Sequence, residues 1–133
     1  MYTLEEMEAK IIERLTDGKG QALDEYACTC KYRRRGDNLP CVVGALVPDE
    51  HYNALMEGPT IRALHPSLNN GKWFGDYDDD FQNALAAALN ASGVPATEAS
   101  WRMLSAWQRR HDDAHNWNGN EYVGELTTCI ESE

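Results

Sequence analysis

The sequence predicts a mostly α-helical single domain over residues 1–133, with about five to six helices and a short β-hairpin or strand insert near residues 27–45. Three observations predict it. Apolar residues recur at helical spacing in several segments, and capping chemistry opens or closes each of them. One short segment alternates polar and apolar residues instead. The length suits one domain with its own core, and no linker, repeat or low-complexity tract divides the chain.

Thr3-Leu4-Glu5-Glu6 is a capping box, in which a threonine hydroxyl and a glutamate side chain satisfy each other's backbone N–H groups. Leu4, Met7, Ile11, Ile12 and Leu15 then predict a helix over 4–16, which Asp17-Gly18 stops. From Ala27 to Arg33, Cys28, Cys30 and Tyr32 alternate with Thr29, Lys31 and Arg33, the pattern of a short strand. Arg35-Gly36-Asp37-Asn38 has the composition of a turn. Residues 41–47, bracketed by Pro40 and Pro48, read as a short helix, with a buried strand as the alternative; Gly44 weakens both.

Asp49, placed to act as an N-cap, begins a further short helix to Met56, closed by Gly58-Pro59. Thr60 caps a turn that Pro66 halts. Residues 67–77 form the longest irregular stretch and carry Trp73, Phe74 and Tyr77, which pin it to the body. Residues 79–90 predict a helix whose carboxylates sit at its positive end, with an Ala/Leu face behind them. Thr97 caps the next helix, running to about His111 with Trp101, Leu104, Trp107 and Ala114 on one stripe. A last helix over 121–130 buries Tyr122, Val123, Leu126 and Ile130.

Three constellations have chemistry in principle. Cys28, Cys30 and Cys41 with His51 offer the thiolate and imidazole ligands of zinc, but Cys-x-Cys is not the usual knuckle spacing and no second close pair completes it. Small buried hydrophobes is the plainer reading, and it predicts that Cys30 and Cys41 are buried, reduced and without zinc. His111 and His115, four apart, would share a helix face and with Asp112 copy a metal-binding spacing, but no glutamate stands in the expected place; a small enzyme using His111, Asp112 or a cysteine is a further alternative. A polar helix end is the plainer reading, with His111-Asp112 as a structural hydrogen-bonded pair. Asp76, Asp78 and Asp80 copy the opening of a calcium loop, yet the mid-loop glycine is missing and Ala87 stands where a bidentate glutamate is needed. No phosphate loop, nucleophile elbow or kinase signature is present. The sequence therefore predicts no catalytic residue and no cofactor.

Cys30-Lys31-Tyr32-Arg33, the run from Cys41 to Asp49 (Cys-Val-Val-Gly-Ala-Leu-Val-Pro-Asp), Tyr52 and Glu57-Gly58 resemble the pattern of a family of small proteins encoded by tailed bacteriophages and prophages. That pattern is Cys-x-Tyr-Arg, then Cys-x-x-Gly-x-Leu-Ile/Val-Pro-Asp-x-x-Tyr, then Glu-Gly. The stretch from Leu104 to Trp117, with Gln108 and His111-Asp112, resembles the family's closing Leu-Gln-x-x-His-Asp followed by Trp. The likeness touches about half of the chain. Ala54 departs from it where a proline is common, and Cys28 is an additional thiol. The resemblance implies a phage origin and brings no catalytic residue.

The net charge is −10, which repels phosphate backbones and disfavours direct nucleic-acid binding. It suits a host protein with a basic surface instead, including a defence or nucleic-acid-processing factor that is to be inhibited. Asp76, Asp78, Asp79 and Asp80 beside Trp73 are the candidate acidic face, and Arg33, Arg34 and Arg35 are the competing basic one. The first residues show no basic region or apolar signal core, and no apolar run reaches the roughly 18–20 residues that cross a bilayer. The expectation is a cytoplasmic protein of the host cell, with no membrane partner.

Overall fold

A computed structural model describes residues 1–22, 32, 39–53, 56–57 and 79–130. The described part holds three α-helices: α1 (Leu4–Leu15), α2 (Asp79–Ala91) and α3 (Glu98–Asp112). A two-stranded antiparallel hairpin, β1 (Trp117–Asn118) and β2 (Glu121–Tyr122), follows α3. The chain is helical as its periodicity predicts, but the expectation of about five to six helices is corrected to three among the described residues.

α1 begins as its capping box dictates. The Glu6 N–H donates to Thr3 Oγ1 at 3.1 Å, and the Thr3 N–H donates to Glu6 Oε1 at 3.0 Å. Met7, Ile11 and Leu15 are buried along one stripe. Gly18, at φ +79°, turns the chain out of the helix. α2 begins at Asp79 as predicted and buries Leu85, Ala88 and Leu89. Its exit turn at Gly93 holds the N-terminus, where the Tyr2 N–H donates to the Gly93 carbonyl at 2.7 Å. Thr97 caps α3 by accepting the Ser100 N–H at 3.2 Å, and Trp101, Leu104 and Trp107 are buried as the stripe requires. Ala114 departs from that stripe. It lies beyond the helix in a single 3₁₀ turn (Ala114–Asn116) and is exposed.

Between Pro40 and Pro48 the chain forms neither a strand nor an α-helix but a 3₁₀ turn over Gly44–Leu46, with Val42, Val43, Leu46 and Val47 buried. Two prolines this close leave too few residues for an i→i+4 ladder to propagate. Asp49–His51 is likewise one 3₁₀ turn. Its N-cap is Pro48, so Asp49 does not act as the cap predicted for it. Tyr32 belongs to the same core, while most of the predicted strand at 27–33 and the irregular stretch 67–77 lie outside the described residues.

The largest correction is at 121–130, where the last helix was expected. Trp117 faces Tyr122 and Asn118 faces Glu121 across a two-residue Gly119-Asn120 loop, with Gly119 at φ +62°. The Trp117 and Tyr122 rings meet edge to face at 5.3 Å. The chain after Tyr122 is irregular, leaving Val123 and Leu126 54% and 42% exposed where the helical reading buried them. Among the described residues the small sheet thus stands at 117–122.

Candidate functional site

The described residues among those that carry the family resemblance converge, although they come from four separate segments. Glu57 joins two of them: its Oε1 accepts the Tyr32 N–H at 2.9 Å and its Oε2 accepts the Tyr52 hydroxyl at 2.8 Å. The Tyr32 carbonyl accepts the Cys41 N–H at 3.3 Å. Cys41 Sγ accepts the Gly44 N–H at 3.3 Å and donates to Gln108 Oε1 at 3.4 Å. Gln108 passes the chain along α3, donating from Nε2 to Asp112 Oδ1 at 3.1 Å.

The same Asp112 oxygen lies 2.9 Å from His111 Nδ1. His111 Nε2 receives the Ala22 N–H at 3.2 Å. A backbone N–H can only donate, so Nε2 holds the lone pair and the ring proton sits on Nδ1, directed at Asp112. The His111 carbonyl accepts from both Gln21 Nε2 and Trp117 Nε1, each at 2.8 Å. One hydrogen-bonded line therefore runs from Tyr52 to Ala22 and binds the 41–47 turn, α3, the α1 exit and the hairpin together.

This geometry disfavours the alternatives that would give these residues chemistry. His111 is fully buried with both ring nitrogens engaged, whereas His115 is 97% exposed and lies past the end of α3. The two histidines do not share a helix face. Cys41 is buried and free, as expected, and burial above all pushes its thiol up to about 12, so it is held as S–H. A metal thiolate or a nucleophile needs the opposite. His51 is half-buried, with Nε2 3.6 Å from the Glu50 carboxylate. Cys28, Cys30, Trp73, Asp76, Asp78, Arg33, Arg34 and Arg35 lie outside the described residues, as do the side chains of Asp79 and Asp80, which open α2. Among the described residues no three metal-capable side chains gather.

Reactivity follows from the thiol's state. At pH 8 a thiol at about 12 is thiolate in only about one molecule in ten thousand, against about one in ten for an ordinary cysteine near 9.0. Alkylation of the native protein at pH 8, mapped residue by residue by mass spectrometry, is expected to spare Cys41 until denaturant is added. Modification of Cys41 at the rate of a free peptide thiol would show that this burial does not exist in solution.

A second polar centre escaped the sequence reading. Glu8, on α1, is buried. Its Oε2 accepts Trp107 Nε1–H at 2.8 Å and the Cys129 N–H at 2.7 Å, and its Oε1 accepts the Thr128 hydroxyl at 2.6 Å. Burial works against its ionisation, but the bonds from Thr128, Cys129 and Trp107 outweigh it, and the carboxyl is held below the usual range. Arg110 stacks 4.7 Å over the Trp107 ring and donates to the Thr127 carbonyl at 2.7 Å. Together they strap the irregular C-terminal segment across α1 and α3. A third centre, buried Arg14, donates to the carbonyls of Pro40 and Gly20, both at 2.6 Å, and to Asp17. Neither was legible, because a glutamate within an acidic helix and an arginine near a helix end read as solvent-facing.

The described surface is acidic in character, with Glu5, Glu6, Glu13, Glu121 and Glu125 exposed. No described helix is long and apolar enough to cross a membrane. In comparison with known proteins, no family model, no curated sequence and no solved structure matches the chain.

Proposed function

We propose that this is a non-catalytic accessory protein of the tailed-phage family it resembles, acting in the host cytoplasm by binding a host protein with a basic surface. Inhibition of a defence or nucleic-acid-processing factor is the use that fits such binding. One observation carries the reading: the motif residues with chemical potential, Cys41, Gln108, His111 and Asp112, are bonded to one another. They act as ties that fix the fold, and recognition is left to the surface, where the net charge of −10 favours a cationic partner. Charged faces raise the rate of association with such a partner at low salt, and aromatic residues supply the anchoring area.

Asp76, Asp78, Asp79 and Asp80 beside Trp73 are the face we assign to this role. Tagged protein incubated with bacterial lysate should capture a basic protein at low salt and release it as salt is raised. The double substitution Asp78→Lys with Asp79→Lys should abolish capture, with the circular dichroism spectrum retained. If that variant binds as before, with unchanged salt dependence, while Arg34→Glu binds nothing, the acidic face is the wrong one.

A further inference from the structure

The groove between the exit of α1 and the tip of the hairpin points to a site for an arginine side chain, which we propose as the contact through which a basic partner segment is read. The inference rests on the reading of the protein as a binder of basic surfaces, and it places a contact well apart in sequence from Asp76–Asp80.

The groove encloses about 470 Å³. Its apolar floor comes from two core residues, Leu15 of α1 and Tyr122 of β2. Its polar lining comes from Thr16, Asn118, Asn120 and Glu121. Asn118 and Glu121 are directly opposed across the hairpin, so their side chains leave the same face of the ribbon. Asn120 packs against Gly20, where a β-carbon would come within 2.5 Å of Asn120 Oδ1. The tip closes this tightly on the α1 exit only because position 20 carries no side chain. Gly18, beside it, has open space around its α-carbon, so this end of the groove is unobstructed.

The chemistry of the lining selects the ligand. It holds one carboxylate and two carboxamide oxygens, and no lysine or arginine. Lys10, Arg14 and Lys19 line a separate cleft of about 250 Å³ together with Glu13 and Asp17, and Asp17 pairs with Arg14 at 3.1 Å. Among the described residues the Asn118 and Asn120 side chains and the Glu121 carboxylate make no internal hydrogen bond or ion pair, and all three are exposed. A net negative set of acceptors above an apolar floor matches a cation with several N–H donors on an aliphatic stem. Arginine fits better than lysine. Its planar fork meets a carboxylate in bidentate fashion while its remaining N–H groups reach the carboxamide oxygens, and its methylenes lie on Leu15 and Tyr122. A single carboxylate is too little for a hard metal ion. The volume leaves room for the residues flanking the arginine in a peptide.

The test is titration of ¹⁵N-labelled protein with N-acetyl-arginine methylamide, followed by the amide signals of Gly18, Gly119 and Glu121 and the side-chain NH₂ signals of Asn118 and Asn120. Saturable shifts at these positions are expected, with much weaker ones from the citrulline analogue, which keeps the shape and loses the charge. Glu121→Gln should weaken binding about fivefold, the scale of one partly exposed ion pair. Glu5→Gln, on the first turn of α1, should change nothing. Equal responses to arginine and citrulline, an unchanged affinity in Glu121→Gln, or saturation by a neutral sugar in place of arginine would each overturn the proposal. The outcomes separate the two readings. Arginine binding without capture of any basic protein removes the proposed function and leaves this site standing. Capture through Asp76–Asp80, with arginine ignored by the groove, does the reverse.

Discussion

Gly44→Ala should destabilise the protein by about 3 kcal/mol or more, the largest effect expected of a methyl group added at any described glycine. A β-carbon at position 44 would stand 1.9 Å from the Tyr32 carbonyl oxygen and 2.8 Å from its carbon. Those are backbone atoms, which cannot swing aside as a side-chain end does. The Tyr32 carbonyl also accepts the Cys41 N–H, and the Tyr32 N–H donates to Glu57, so displacing this residue breaks two links of the motif network together. Gly18→Ala is the contrast. Nothing lies within 4 Å of its β-carbon position, and only its φ of +79° resists, so a loss of about 1 kcal/mol is expected there. Denaturant midpoints of the two variants decide the matter. If Gly44→Ala costs no more than Gly18→Ala, the close approach of Tyr32 to the 44–46 turn is wrong.

That glycine shows what was legible in the sequence and what was not. Cys-x-x-Gly before Leu-Val-Pro-Asp stood out as a pattern, and Gly44 was read only as a weakness in whichever element held it. Its reason is a backbone that arrives from 12 residues away in the chain, and no local rule reports such an approach. The three long amphipathic helices were legible because caps and periodicity agree: Thr3 with Glu6, Thr97 with Ser100, and a leucine face behind Asp79. The helix expected over 121–130 failed because Tyr122, Val123, Leu126 and Ile130 fall at helical spacing by coincidence. The competing signal was Gly119-Asn120 between Trp117 and Tyr122, the two-residue loop of a hairpin, and the aromatic pair closed it. At the candidate site the residue types were legible, but their partners were not. His111-Asp112 could be read as a hydrogen-bonded pair, but nothing local showed that Ala22 and Gln108 occupy its remaining groups.

Glu8→Ala should cost about 3–5 kcal/mol, because it removes a buried carboxylate on which three donors depend. Trp107 Nε1–H would be left in the core without an acceptor, and the Thr128 hydroxyl and Cys129 N–H would lose the bonds that hold the strap to α1. Glu8→Gln keeps the shape and one acceptor oxygen, which can still serve Trp107 and Cys129, so its cost should be smaller, about 1–2 kcal/mol. At roughly 4 °C per kcal/mol for a chain of this size, the two variants should melt clearly apart. The pH dependence gives an independent check. The Glu8 carboxyl is held below its ordinary value of 4.5 in the folded state, so between the two values the unfolded chain binds the proton that the folded one refuses. Stability from this group is therefore complete above about pH 4.5 and is lost as pH falls through the folded value. The difference between the native chain and Glu8→Gln should be greatest at neutral pH and shrink below about pH 4.5. A difference that stays constant from neutral pH down to about pH 3 would mean that the carboxylate is not ionised against Trp107, Thr128 and Cys129, and the strap would need another anchor.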